Sequence, residues 1–312
     1  MKSLRITRTI VARCGGVVFA LLALTARQTA AQTNEPGTNT FAFITAGDMR
    51  NFVNHAPAGK RYFDGLCEAA GRVGAGAFMI SPGDCDPPAP IRAAINEYLG
   101  TNYLWYPVIG NHDTTTRADM DWMRHWAEAG IPHLVRRGPP GAELTTYSFD
   151  FGNSHFVVLN EYYDGKSDAV SKGDVPDAAS AWLGKDLAAT QQTLIWVIGH
   201  KPIQSLPDMD SGRERHDGDS ISSDTMHFDR FVQLLRKYHV RAYICGHTHN
   251  CSVAKVHGVW QADSGHARGA GDTGSPSTFL KFRIAGTNAW VDIFRSDKNG
   301  VEYALRKTVE LK

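Results

Sequence analysis

Five short apolar runs, rich in β-branched and aromatic residues, each stop at a glycine followed by a polar residue. They read FAFITAGD (41–48), GAFMISPGD (76–84), LWYPVIGNHD (104–113), TLIWVIGHKP (193–202) and VRAYICGHTH (240–249). Continuous apolar runs of this length are typical of strands that are buried on both faces of a sheet. The pattern therefore predicts five inner strands, each ending in a polar turn.

Helix-compatible stretches separate these runs. They cover residues 58–72, 89–100, 117–129, 178–190 and 227–239. Strands that alternate with helices are typical of an α/β domain in which much of the sheet is parallel.

Two regions depart from this alternation. The stretch TTYSFDFGNSHFVVLN (145–160) predicts a hairpin around Gly152-Asn153, and residues 278–309 predict an antiparallel meander of three strands. We therefore expect an α/β fold of two mixed β-sheets, packed as a sandwich flanked by helices, with antiparallel strands at the C-terminal end.

Residues 205–225 are polar and have no periodic apolar face, which predicts a long surface loop, with a lid over a site as the alternative.

The N-terminal segment has the pattern of a secretory signal. Four basic residues between Lys2 and Arg13 precede a short apolar core at residues 16–26, and Ala31 provides a small residue for cleavage. This core is shorter than a comfortable membrane span. We expect an exported protein, periplasmic or secreted, with no stable membrane anchor after cleavage; an uncleaved anchor is the alternative.

Charge and composition limit the functions and the domain organisation expected for residues 32–312. Of the 33 basic residues five lie in residues 1–31, which leaves 28 against 32 acidic residues, a net charge of −4 with neutral histidines. This charge does not favour a nucleic-acid-binding protein. No repeat and no Pro/Ser-rich linker follows residue 40, so we expect a flexible segment at 32–40 and one domain at 41–312.

Four cysteines follow residue 31, and an oxidising compartment would allow them to pair. Their connectivity cannot be read from the sequence. Cys245 and Cys251 are close enough in sequence for a disulfide between them to close a small loop. Equally, all four residues could be free buried thiols: Cys67, Cys85, Cys245 and Cys251.

Polar side chains at the ends of the apolar runs form a candidate site. Ligand sites of open α/β sheets lie at the carboxyl ends of the strands. A set of nitrogen and oxygen donors without cysteine suits Mn, Fe, Zn, Co or Ni. The donors at these positions are Asp48, Asp84, Asn111, His112, His200, His247 and His249.

The order of these motifs resembles that of the calcineurin-like metallophosphoesterase superfamily, whose motifs are Asp-any-His, GD, GNH(D/E), GH and GHxH. Here they stand as GDMR (47–50), PGDCD (82–86), GNHD (110–113), GHKP (199–202) and GHTH (246–249). The resemblance covers about residues 41 to 295.

The resemblance implies a metal-dependent hydrolase of phosphate mono- or diesters, with a phosphorylated small molecule as its substrate. Two metal ions would clamp the phosphoryl oxygens, and a hydroxide that bridges them would attack phosphorus in line. The carboxylate of Asp84 would bridge the ions. The other ligands would be Asn111, His200 and His247 for one ion, and Asp48 and His249 for the other.

The resemblance also assigns roles to the GNHD motif. His112 would contact the phosphate or the leaving group and donate a proton. Asp113 would orient the His112 imidazole, with capping of the following helix as an equally open reading.

Two positions depart from the family pattern. Arg50 stands where most relatives have a metal-binding histidine, and a guanidinium cannot coordinate a metal. We therefore expect one weakened metal position. Arg50 would either contact a substrate phosphate or pair with Asp48. Nearby His55 is expected to be an ordinary loop residue, with replacement of the lost donor as the alternative. Pro87 stands where the purple acid phosphatase branch has a tyrosine, so an Fe(III)–tyrosinate centre is not expected.

These departures keep two alternatives open: a mononuclear or weakly active homologue, and a non-catalytic protein that binds a phosphorylated ligand. Weaker candidates for site residues are His266 and Arg268 in a Gly-rich stretch. For Arg213 and His216, in the polar loop, the sequence favours solvated positions.

Overall fold

Two mixed β-sheets pack face to face, and helices cover their outer faces. The computed structural model describes residues 39–49, 62–223, 225–268, 274–297 and 302–312, all of them within the contact unit Gln32–Lys312. The elements in chain order are β1 (Thr40–Thr45), α1 (Tyr62–Arg72), β2 (Phe78–Ser81), α2 (Pro88–Leu99), β3 (Leu104–Pro107), α3 (Arg117–Gly130), β4 (Leu134–Arg137), β5 (Tyr147–Phe151), β6 (Ser154–Val158), α4 (Asp177–Ala189), β7 (Leu194–Ile198), α5 (Thr225–Lys237), β8 (Ala242–Cys245), β9 (Cys251–Val256), β10 (Val259–Ser264), β11 (Thr278–Ala285), β12 (Asn288–Ser296) and β13 (Tyr303–Glu310).

The strand order confirms the predicted fold class. One sheet has six strands in the order β13-β12-β11-β1-β2-β3, and the other has seven in the order β4-β5-β6-β7-β8-β10-β9. Strands β1, β2 and β3 run parallel in the first sheet, as do β6, β7 and β8 in the second. The predicted hairpin is β5–β6, and the predicted meander is β11–β12–β13.

Aromatic side chains from both sheets fill the space between them. Phe43 of the first sheet meets Phe156 of the second edge to face, with ring centroids 5.3 Å apart, and Trp196 at 5.7 Å. All three rings are completely buried. Edge-to-face pairs contribute about 0.5–1.5 kcal/mol each beyond the burial of their area. This packing fixes the two sheets against each other, and with them the strand ends that carry the site.

The five predicted helices are present, and their described bounds agree with the prediction to within two residues, apart from residues 58–61, which lie outside the described part. Helices α1 and α2 pack on the six-stranded sheet, and α4 and α5 pack on the seven-stranded sheet. Helix α3 begins after Thr116, whose Oγ1 accepts the N–H of Asp119 at 3.2 Å. The reading of Asp113 as a helix cap is therefore wrong, since Asp113 begins a separate 3-10 turn, Asp113–Thr115.

The apolar pattern did not predict β4, β9 or β10. Strand β4 is an edge strand with exposed Leu134 and Val135, so burial imposes no alternation on it. Strands β9 and β10 are joined by a two-residue turn in which His257 and Gly258 both have positive φ, 48° and 82°. Such turns are most readily recognised as Asn-Gly or Asp-Gly, and His-Gly gives a weaker signal.

Three further predictions concern the N-terminal segment, the cysteines and membrane-spanning helices. Residues 1–38, which include the predicted signal peptide, lie outside the described residues, and β1 begins at Thr40, one residue before the expected domain start. The four cysteines after residue 31 are buried thiols, and no disulfide joins them. None of the helices in the described part combines the length and the apolar composition of a membrane span.

Candidate metal centre

The loops that follow β1, β2, β3, β7 and β8 converge at one edge of the sandwich. Each of these strands runs parallel to a neighbour in its sheet, so their carboxyl ends meet there, as expected for a ligand site of an α/β fold. The structure brings six of the predicted donors together at this edge: Asp48, Asp84, Asn111, His200, His247 and His249.

One half of the cluster centres on Asn111. Its Oδ1 lies 3.1 Å from His200 Nε2 and 3.2 Å from His247 Nδ1, and the two ring nitrogens lie 3.2 Å from each other. Asp84 Oδ1 lies 3.4 Å from the same nitrogen of His200. Four donor atoms therefore face a common point.

The other half of the cluster is more acidic. Ligand atoms of Asp48, Asp84 and His249 all lie within 4.8 Å of one another, and all three residues are buried. Asp48 Oδ1 lies 3.3 Å from His249 Nε2, yet it accepts no hydrogen bond from any residue that the structure describes. A buried carboxylate oxygen without a hydrogen bond is costly, and a cation at this point would satisfy it. The carboxylates of Asp48 and Asp84 thus supply oxygen donors that fit a cation on this side as well.

The hydrogen bonds of His200 determine which ring nitrogen can bind a metal. Its Nδ1 lies 2.9 Å from the carbonyl oxygen of Pro82, and because a carbonyl only accepts, Nδ1 must carry the proton. In the neutral ring, which is the form that binds a metal, the lone pair is then on Nε2, and Nε2 faces Asn111 and His247. Such an outer hydrogen bond is the usual means by which proteins orient a metal-binding histidine.

The backbone at the candidate ligands is strained. Asp48, Asp84, His247 and His249 all have positive φ, at 54°, 55°, 70° and 59°. Non-glycine residues in this region cost of order 1–3 kcal/mol each and cluster at functional sites. Hydrogen bonds hold the turns in place: the N–H of Asp48 donates to Gly83 O at 3.1 Å, and the N–H of His247 donates to Asp48 Oδ2 at 2.9 Å.

Opposite charges determine the protonation of the cluster. Burial raises the pKa of Asp48, but its interaction with the His249 ring, followed by the charges of His200 and His247, outweighs burial and lowers the pKa to about 2. Burial lowers the pKa of His200, but the charges of Asp84 and Asp48 raise it to about 9. The carboxylates thus attract positive charge, whether it comes as protons or as metal ions.

Asp113 joins two turns of the site. Its Oδ2 accepts the N–H groups of Asp84 at 3.0 Å and Gly110 at 2.7 Å, and its Oδ1 accepts the N–H of Cys85 at 2.9 Å. These contacts hold the GD and GNHD motifs together. They do not involve the His112 ring, so the expected orientation of that imidazole by Asp113 finds no support in them.

His112 lies at the mouth of the cluster. Its backbone N–H donates to Asp84 Oδ1 at 3.0 Å, and its Nε2 lies 3.9 Å from Asp84 Oδ2. The side chain is 29% exposed, against 2% for Asp84. His112 is therefore accessible to a substrate while remaining next to the candidate bridging carboxylate. The other predicted substrate contact, Arg50, lies outside the described residues, as does His55.

The long polar loop covers the site, which corrects the expectation that Arg213 and His216 are merely solvated. Arg213 Nη2 donates to His249 O at 3.2 Å, and the guanidinium of Arg215 contacts His249 Nδ1. The His216 ring stacks on the His247 ring, with centroids 4.5 Å apart. Asp219 of the same loop lies 2.9 Å from His247 Nε2 and was not predicted as a site residue. The only sequence signal for a functional role of this loop was the density of charged and histidine residues in RERHDGD (213–219). This stretch has no periodicity from which its position in the fold could be predicted.

Two further residues border the candidate ligands. The buried carboxylate of Glu161 accepts the backbone N–H of His200 at 2.8 Å, and no motif pointed to it. His266, a weaker candidate from the Gly-rich stretch, is fully buried, and its ring centroid lies 5.6 Å from that of His249. Arg268 lies nearby in sequence, and residues 269–273 lie outside the described part.

Sequence comparison identifies the family to which this fold and this donor set belong. The sequence model of the calcineurin-like phosphoesterases matches residues 21–251. The chain belongs to this family, whose members are metal-dependent.

Individual relatives are more distant. Tartrate-resistant acid phosphatase type 5 of Rattus norvegicus is 26% identical over 160 residues, which are 48% of this chain and 44% of the rat protein. The same protein of Mus musculus is 24% identical over 155 residues, with the same shares. The match thus spans less than half the length of these curated relatives.

Solved structures share the fold. The structure of PhoD superposes with a TM-score of 0.58 at 11% identity, covering 88% of this chain and 70% of the other. GAP50, described as the anchor in the inner membrane complex of Plasmodium, superposes with a TM-score of 0.54 at 13% identity, covering 88% and 89%. At these identities the likeness supports the sandwich architecture alone.

Proposed function

We propose that this chain hydrolyses phosphate mono- or diesters at a centre of two metal ions. The observation that carries the proposal is the convergence of ring nitrogens, amide oxygen and carboxylates on a common point at the strand ends, with the proton of His200 held on its outward nitrogen. A set of nitrogen and oxygen donors suits Mn, Fe, Zn, Co or Ni.

We assign the ligands by their grouping. Asn111, His200 and His247 would hold one ion, and Asp48 and His249 the other. Asp84 lies next to both groups, at 3.4 Å from His200 Nε2 and within 4.8 Å of the ligand atoms of Asp48 and His249, so it is the carboxylate that would bridge the ions.

The bound ions would supply Lewis acidity and a water of lowered pKa as the nucleophile. The chain's own residues would position the ester. His112 lies beside Asp84 with 29% of its side chain exposed, so it is placed to hydrogen-bond the leaving oxygen and donate a proton. The loop above the site limits access of bulk water.

A phosphorylated small molecule is the substrate class that the site and the relatives favour. The acid phosphatases that match part of the chain act, by name, on phosphate esters. A mononuclear or weakly active enzyme is the competing function. It is favoured by Arg50, because a guanidinium cannot coordinate a metal and here replaces a ligand of the ion assigned to Asp48 and His249.

Hydrolysis of a chromogenic phosphomonoester and of the matching diester tests the proposal. We expect turnover with Mn(II) by the wild type, and a loss greater than about 100-fold in Asp84→Asn, beyond the range typical of outer-partner substitutions. Asp229→Asn, which removes an exposed carboxylate from α5, is the matched control and should leave the rate unchanged. Metal-loaded wild type that cleaves neither ester, or Asp84→Asn with wild-type activity, would overturn the proposal.

Metal content separates the dinuclear centre from its mononuclear rival. Two ions per chain support the first, and one ion per chain supports the second. If Arg50 weakens one position, Arg50→His should tighten the binding of the second ion; unchanged affinity and stoichiometry would count against that role.

We also propose that the protein is exported, on the basic and apolar pattern of residues 1–31. Fractionation of expressing cells tests this: the mature chain should be found in the periplasm or the medium and should begin near residue 32. A chain that stays in the cytoplasm with its N-terminal segment intact would contradict it.

A further inference from the structure

His247 has its two ring nitrogens in different surroundings. Nδ1 faces the cluster, 3.2 Å from both Asn111 Oδ1 and His200 Nε2. Nε2 faces away from it and lies 2.9 Å from Asp219 Oδ2. A carboxylate accepts, so a proton on Nε2 would donate to Asp219 and leave the Nδ1 lone pair directed at the cluster.

The arrangement parallels that of His200, where the outward nitrogen donates to a backbone carbonyl. The difference is the origin of the acceptor. Pro82 belongs to a turn at the sheet edge, whereas Asp219 belongs to the polar loop at residues 204–223, which we call the site loop. The outer partner of His247 is therefore present only while the site loop lies over the centre.

Asp219 is itself held in place. Lys201 Nζ lies 2.6 Å from Asp219 Oδ1, and the lysine side chain is only 7% exposed. Lys201 directly follows His200, so one turn carries a candidate ligand and the cation that orients Asp219. The Asp219 carboxylate is bonded on both oxygens, one to Lys201 and one to His247, although half of its side chain is exposed.

The site loop has further attachments that keep Asp219 in register. The His216 ring stacks on His247, and Ser205 Oγ donates to His216 O at 2.9 Å. At the base of the loop, Asp208 pairs with the buried guanidinium of Arg295 at 2.6 Å. These contacts hold the loop at both its base and its tip.

We propose that Asp219 is a positioning residue for His247, and that the site loop completes the metal centre by supplying it. The inference rests on the proposed function for the metal ions but not on the identity of the substrate. Direct coordination by Asp219 is the competing arrangement, because ligand atoms of His216, Asp219 and His247 lie within 4.8 Å of one another. That arrangement would use Nε2 of His247, the atom that already bonds Asp219, and would create an additional metal position.

Calorimetric titration of the metal-stripped full chain with Mn(II) tests the inference. Asp219→Ala should weaken one binding event about 10- to 100-fold, the range for outer partners of metal-binding histidines. It should leave the number of ions and the melting temperature of the metal-free protein unchanged. Asp219→Asn keeps an oxygen acceptor but loses the charge that pairs with Lys201, so its loss should be smaller, and Asp219→Glu should restore part of the affinity.

Asp217→Asn is the matched control, since it removes the same charge from an exposed position two residues away in the same loop. It should bind Mn(II) like the wild type. Lys201→Met should weaken binding in the wild-type background but have no further effect in Asp219→Ala, because its influence passes through Asp219.

Three results would overturn the inference: wild-type affinity in Asp219→Ala, an equal loss in Asp217→Asn, or the loss of one whole ion from the stoichiometry, which would show direct coordination. The readout is affinity rather than turnover. A chain that binds Mn(II) with the predicted dependence on Asp219 but cleaves no ester would therefore refute the proposed function alone.

Discussion

The carboxylate of Glu161 holds the backbone of His200 from a position 39 residues earlier in the chain: Oε2 accepts the His200 N–H at 2.8 Å. The same oxygen accepts the N–H of Lys201 at 2.6 Å, and the Tyr243 hydroxyl donates to Oε1. The GHKP turn, which carries a candidate ligand and the lysine partner of Asp219, is thus attached to one buried side chain.

Replacing Glu161 should loosen this attachment. In Glu161→Ala, the buried N–H groups of His200 and Lys201 lose their acceptor, and a buried donor left without an acceptor costs about 1–3 kcal/mol. We expect a loss of stability of at least this size in urea unfolding, together with weaker binding of Mn(II). Glu97→Ala, at an exposed position of α2, should change neither. Wild-type metal affinity in Glu161→Ala would show that the attachment does not position His200.

Gly110 has no space for a side chain. A Cβ at this position would lie 2.3 Å from both the backbone nitrogen and Oδ1 of Asp84, so Gly110→Ala must displace the candidate bridging carboxylate. We expect loss of metal binding and lower stability. Gly184→Ala provides the contrast: its Cβ would lie 3.4 Å from Leu234 Cδ2, and alanine in the interior of α4 should add up to about 1 kcal/mol. Retained metal binding in Gly110→Ala would contradict the geometry of the centre.

The base of the site loop depends on a buried ion pair. Arg295 donates through Nη1 and Nη2 to the two oxygens of Asp208, at 3.0 and 2.6 Å, and both side chains are almost fully buried. Arg295→Met would leave Asp208 as an uncompensated buried charge, which costs about 3–5 kcal/mol. Arg306, 54% exposed and 3.5 Å from Asp210, is the matched control, and Arg306→Met should cost no more than about 1 kcal/mol. Urea unfolding of both variants gives the comparison, and equal costs would refute it.

A second buried network should make stability depend on pH. His155 lies between Asp150 and Asp186, with its ring nitrogens 2.6 and 2.8 Å from their oxygens, and Arg136 also contacts Asp186 at 3.0 Å. Burial lowers the pKa of His155, but the hydrogen bonds and charges of the two carboxylates outweigh it and raise the pKa from 6.5 to about 9. The folded protein therefore holds this proton more tightly than the unfolded chain.

The sign of the effect follows from linkage. A raised pKa contributes stability that is fully present below pH 6.5 and is lost as the pH rises through about 9. The difference in the free energy of unfolding between the wild type and His155→Gln should therefore shrink across this interval. The comparison also removes the pH dependence of groups that the two proteins share. A difference that stays constant or grows with pH would show that His155 is not held protonated.

The sequence predicted the parts of this structure that depend on local pattern. Continuous apolar runs predicted β1, β2, β3, β7 and β8. Because parallel strands end at one edge of the sheet, the donors from Asp48 to His249 could be expected to lie close together. The positive φ of Asp48 and His247 could not be read, since it depends on hydrogen bonds between distant turns.

The rest depended on tertiary contacts that have no periodic signature. Glu161 follows β6 and reads as an ordinary polar residue until β7 and β8 place His200 and Tyr243 around it. Asp219 lies in a loop whose path is determined by Asp208 and Arg295, 87 residues apart in sequence. A pattern of single residues cannot predict such long-range pairs.

The central claim is that the residues at the strand ends hold two metal ions. Anomalous diffraction from crystals of the full chain grown with Mn(II) tests it most directly. We predict two peaks roughly 3.5–4 Å apart on either side of the Asp84 carboxylate, one facing Asn111 and His200 and the other facing Asp48. A single peak at Asp84, or no peak there with Mn(II) bound elsewhere on the chain, would contradict the account.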